Sequence, residues 1–94
     1  MKDEELKTVI ADGKEADQWL NHPVFGKAVI ARKAQLINEL EKSKAADVEL
    51  REEVYRKIQA LNTIKSDLER MIRNGKQAEK TLLQRIKEKF KSPE

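Results

Sequence analysis

Few residues in this chain are placed to act on a substrate. The single histidine, His22, has the side chain of a general base or metal ligand. It stands directly before Pro23 with no second histidine and no cysteine, so its position suits the start of a helix better than a reaction. Glu49 and Glu53 are spaced i, i+4, which puts two carboxylates on one helical face where they could hold a cation. In the first turns of a helix the same charges answer the positive end of the helix dipole, and that is the reading preferred. Ser43, Ser66, Ser92 and Tyr55 carry hydroxyls with no partner base in the sequence. There is no Gly-x-Ser-x-Gly, no His-Glu-x-x-His and no glycine-rich phosphate loop. With no cysteine, disulfides, thiolate metal sites and thiol catalysis drop out. The expectation is a protein that is not an enzyme and has no catalytic residues, no cofactor and no metal.

Charge is the other chemical feature. Residues 1–69 hold 12 basic and 14 acidic side chains, whereas residues 70–94 hold 8 basic and 3 acidic. Arg70, Arg73, Lys76, Lys80, Arg85, Lys87, Lys89 and Lys91 could meet phosphates, an acidic protein patch or a membrane surface, or could simply be cations favouring a helix C-terminus. Leu82, Leu83, Ile86 and Phe90 give the same segment an apolar stripe. A purely phosphate-directed tail has no need of one, so the expected partner is an acidic protein surface docked helix-in-groove. The net charge of +3 is modest for a nucleic-acid binder, and direct binding of DNA or RNA ranks lower.

These side chains need elements to carry them. Leu6, Val9, Ile10, Ala16, Trp19 and Leu20 recur at three- and four-residue spacing, predicting a first helix over 3–20 with a bend or a frayed turn near Gly13. Asn21-His22-Pro23 ends it, because proline drives the preceding residue out of the helical region and suits the first helical position. A second helix over 23–43 carries Phe25, Val29, Ile30, Leu36, Ile37 and Leu40. Asp47 is the expected cap of a third over 48–74. Its near-heptad seam of Leu50, Val54, Leu61, Ile64, Leu68 and Met71, interrupted by Lys57 and widened by Ile58 and Ile72, is the expected core and oligomer face. Asn74-Gly75 is the expected C-terminal cap, followed by a separate basic helix over 76–91 that ends at Ser92-Pro93. Trp19, Phe25, Tyr55 and Phe90 sit at apolar spacing, one per helix, as core anchors.

At 39% charged and 38% hydrophobic, the chain has little apolar material for a private core, and strands have no support beside the many helix-forming residues. The predicted fold is all-α, a single domain of residues 1–94. It has a long antiparallel helical hairpin of helices 2 and 3, flanking terminal helices, and a coiled-coil-like or bundle homo-oligomer as its assembled state. No apolar run approaches the length needed to span a bilayer, and the acidic start lacks the apolar core of a signal peptide, so the expected compartment is the cytoplasm.

Leu20-Asn21-His22-Pro23-Val24-Phe25, Arg51-Glu52-Glu53-Val54-Tyr55, Ala60-Leu61 and Asn74-Gly75-Lys76 together resemble small all-helical proteins of tailed bacteriophages, over residues 16–76. The resemblance implies a role in virion assembly, scaffold-like or structural, in the host cytoplasm or on the virion. The alternative employment is a small effector that binds and modulates a host or viral nucleic-acid-processing protein. It brings no activity or binding residue to transfer, and the basic end lies outside it.

Overall fold

Two short breaks divide the chain into α1 (Asp3–Leu20), α2 (Pro23–Lys42) and α3 (Val48–Lys89). The structure, a computed structural model, describes residues 1–91; it is 88% helical, with no strand among those residues. Ser92 and the expected helix end at Ser92-Pro93 lie outside the described residues.

The first break is made by His22. Its backbone is extended (φ −75°, ψ 122°), Pro23 occupies the first helical turn, and the Val24 N–H donates to His22 Nδ1 at 3.2 Å. The imidazole thereby takes the role that a serine or aspartate side chain plays at most helix starts, satisfying one of the N–H groups the helix leaves open. The second break closes α2 through Ser43. Its hydroxyl donates to the Leu40 carbonyl at 2.6 Å, and its N–H donates to the Glu39 and Leu40 carbonyls. Asp47 then starts α3, its carbonyl accepting from the Arg51 N–H at 3.0 Å. Its carboxylate turns back to accept the Lys44 N–H at 2.9 Å, holding the turn.

One boundary differs from the sequence expectation. The chain does not stop at Asn74-Gly75: α3 is a single helix of 42 residues, and the segment 76–91 is its continuation rather than a fourth helix. Gly75 is buried and has no positive φ, so it caps nothing. A glycine inside a helix costs about 1 kcal/mol relative to alanine, too little to end a helix whose flanks are packed. Helix α1 likewise runs unbroken across Gly13.

The fold comprises two compact units, both of which draw on α3. One pairs residues Met1–Trp19 with the part of α3 from Leu68 onward; the other is Leu20–Asp67. In the first unit, Asp3 pairs with Arg85 (2.8 Å) and Gly13 lies against Gly75, so the two segments run in opposite directions. The buried residues there are Leu6, Gly13, Ala16, Gly75 and Ala78. Gly13 and Ala16 are one turn apart on α1, as Gly75 and Ala78 are on α3, so each helix offers a face of small residues and the backbones close up. In the second unit Leu36 of α2 and Val54 of α3 are the fully buried side chains, each about 1% exposed. Lys33 Nζ donates to Asn62 Oδ1 at 2.8 Å across the same pair of segments.

Candidate interaction surfaces

Several of the residues singled out for chemistry have structural contacts. His22 is a cap. Glu53 pairs with Lys57 at 3.2 Å and Glu52 with Arg56 at 3.6 Å, each one turn along an exposed face of α3, where such pairs are worth a few tenths of a kcal/mol. Glu49 lies in the first turn of α3. Ser43 Oγ donates to Leu40 and accepts from Arg51 at 3.3 Å. Tyr55 is exposed beside a shallow depression lined by Leu40, Ala45, Val48, Arg51 and Glu52. No group of three or more histidine, cysteine or acidic side chains is gathered in metal-binding reach among the described residues.

What the structure does present is open apolar surface. The expected seam of α3 splits by exposure. Val54 is buried; Ile58, Leu61 and Leu68 are half-buried; Leu50, Ile64 and Met71 are exposed. Within the Leu20–Asp67 unit, Leu50 and Ile64 are two heptads apart and fall on one side of α3, with the exposed Lys57 between them. Val54, Leu61 and Leu68 form a parallel line that turns inward. On α2, Leu36 is buried while Ile30 (70%) and Ile37 (45%) face out, again seven residues apart.

Three of the four aromatic residues are not core anchors. Trp19 is 56% exposed, Tyr55 57% and Phe90 82%; only Phe25 is half-buried. With each helical segment partnered on one side, the flanks of its apolar stripe stay outside, and the aromatic residues fall on those flanks.

At the basic end, Lys76, Lys80, Lys87, Lys89 and Lys91 are exposed. Arg85 is half-buried and tied to Asp3 of α1, so it belongs to the fold rather than to a free basic face. Leu82 is half-buried, whereas Leu83, Ile86 and Phe90 are exposed at steps of three and four residues. That spacing sets a narrow apolar stripe beside the lysines.

A third surface escaped the sequence. Within the Leu20–Asp67 unit, Leu20, Phe25, Gly26, Val29, Ile30 and Lys33 face Leu61, Ile64 and Lys65 across a cleft of about 350 Å³. Lys33 and Lys65 look like ordinary surface lysines in a chain this charged. Gly26 was the available signal, a helix-interior glycine with no turn to make.

No helix among the described residues is long and apolar enough to cross a membrane. Comparison of the chain with protein-family models, with characterised proteins and with solved structures finds no match.

Proposed function

We propose that the chain is a non-enzymatic helical interaction protein that associates with copies of itself. In this reading α2 and the first part of α3 form a long antiparallel hairpin, and hairpins from different copies pack as a bundle. One observation carries it. Among the described residues five apolar residues are buried, two of them fully, while thirteen large hydrophobic residues stay exposed, seven of them in the Leu20–Asp67 unit. A segment of this size with two fully buried side chains has too small a core to stand alone, and small domains in that position recruit another subunit. Surface hydrophobics scattered singly would mean nothing. Leu50 and Ile64 on one side of α3, and Ile30 and Ile37 on one side of α2, are not scattered.

The resemblance to small helical phage proteins directs this association toward virion assembly, as a scaffold-like or accessory component. The exposed lysines with Leu83, Ile86 and Phe90 would be the face offered to an acidic protein partner. A small phage effector acting on a nucleic-acid-processing protein uses the same surfaces and is the second employment.

The test is sedimentation and light scattering of the full chain beside a Leu50→Lys, Ile37→Lys variant. Both side chains are exposed within one copy, so the variant should keep its helical spectrum and fall to monomer mass. A wild-type chain that is monomeric at all concentrations would sink the proposal.

A further inference from the structure

The three glycines of the chain have unequal reasons to be there. A Cβ on Gly13 would come within 3.0 Å of Gly75 Cα, and one on Gly75 within 3.1 Å of Gly13 Cα, so backbone packing demands both. A Cβ on Gly26 would meet nothing within 4 Å. Gly26 has no positive φ to maintain, and as a helical residue it is less favourable than alanine. Packing and backbone conformation therefore leave it unexplained. Its place in the fold is the wall of the cleft in the Leu20–Asp67 unit, where any side chain would project into open space.

The other lining residues specify what that space suits. Leu20, Phe25, Val29, Ile30, Leu61 and Ile64 make the walls apolar, and the two charged residues are Lys33 and Lys65, with no carboxylate among the described residues that line it. Lys33 is not a loose surface cation. Its ammonium donates to Asn62 Oδ1, which uses one of three donors and leaves two for a ligand. A cleft of about 350 Å³ lies in the range of small-molecule sites, which are mostly apolar with a few placed polar groups. The positive charges also argue against the exposed apolar stripe near Phe90 of a second copy as occupant, since Lys87, Lys89 and Lys91 would accompany it.

We propose that this cleft binds a small anionic amphiphile, an apolar chain ending in a carboxylate or a phosphate, with the chain between α2 and α3 and the head group on Lys33 and Lys65. Gly26 keeps the site open. The cleft shares Ile30 and Ile64 with the apolar surface offered for self-association, and the two proposals are told apart because self-association is tested through Leu50 and Ile37, which do not line it.

Calorimetric titration of the full chain with dodecanoate and dodecyl phosphate, each below its micelle concentration, tests it beside dodecanol and dodecyltrimethylammonium. One anionic ligand should bind per chain, whichever head group it carries, with the neutral and cationic analogues weaker by about tenfold. Gly26→Leu should keep the helical spectrum and lose binding. Lys33→Gln with Lys65→Gln should weaken dodecanoate by about tenfold and leave dodecanol unchanged. Three results would overturn the proposal: no binding of either anion, binding indifferent to head-group charge, or binding undiminished in Gly26→Leu. A change in the sedimenting mass of ligand-free Gly26→Leu would overturn it too, by assigning the cleft to contact between copies.

Discussion

Gly13 of α1 and Gly75 of α3 meet backbone to backbone: a Cβ built on Gly13 would lie 2.9 Å from the Met71 carbonyl oxygen and 3.0 Å from Gly75 Cα. Neither neighbour is the flexible end of a side chain, so relief requires the helices to move apart. Gly13→Ala should therefore destabilise by about 1–3 kcal/mol, the usual cost of overpacking. Gly26→Ala, with open space around its Cβ, should stabilise by about 0.5–1 kcal/mol through helix propensity. Urea melts of the two variants should move in opposite directions; a shared direction would refute the packing account of the glycines.

Leu36 and Val54 are each about 1% exposed, and truncating the larger one should cost most. Leu36→Ala is expected to lose about 2–5 kcal/mol, whereas Ile30→Ala, at a position 70% exposed, should change the stability of a single copy by less than about 1 kcal/mol. If association is linked to folding, the melting temperatures of both the wild-type chain and Leu36→Ala will rise with protein concentration. Thermal melts at several concentrations measure both effects.

Asp3 and Arg85 lie 82 positions apart and pair at 2.8 Å with both side chains partly in solvent. A pair so exposed is worth about 0.2–1 kcal/mol. A double-mutant cycle with Asp3→Asn and Arg85→Gln should return a coupling in that range, shrinking in high salt. A coupling several times larger and insensitive to salt would mean that the pair is more deeply seated than its exposure indicates.

Deleting residues 76–94 should do more than remove a basic face. Ala78 and Arg85 are contacts of the α1 pairing, so α1 should lose hydrogen-exchange protection with them. Point changes leave that pairing in place. Leu83→Ser, Ile86→Ser and Phe90→Ser, all at exposed positions, should keep α1 protected while lowering affinity for an acidic protein partner. Steeply salt-dependent binding of duplex DNA or RNA that survives these changes and fails when Lys80, Lys87 and Lys89 are neutralised would favour nucleic acid instead.

The helices were legible in the sequence because apolar spacing and proline punctuation are local signals. Asn21-His22-Pro23 marked one break correctly, and the end of periodicity at Ser43 marked the other. Gly75 misled, since a glycine needed for the approach of another helix and a glycine needed for a turn look identical until the partner is known. The division of the α3 seam was hidden for a related reason. Periodicity shows that Leu50, Val54, Ile64 and Leu68 share a broad face, but which line of it meets another segment depends on where α1 and α2 lie. Lys33 and Lys65 were invisible as cleft residues because a lysine on a helix flank is the commonest kind of surface.

The sharing of α3 between two units sets a schedule for synthesis. Everything in the Leu20–Asp67 unit exists once residue 67 has been made. The partners of α1, by contrast, begin at Leu68 and extend through Ala78 to Arg85, so they are made only after that unit is complete. An isolated helix of 18 residues is marginally stable in water. At about 5–20 residues per second, α1 therefore spends some 3–12 s with Leu6, Val9 and Ile10 unpaired while the chain that will cover them is still being made. Helix α1 is made before the Leu20–Asp67 unit and acquires its partner after it.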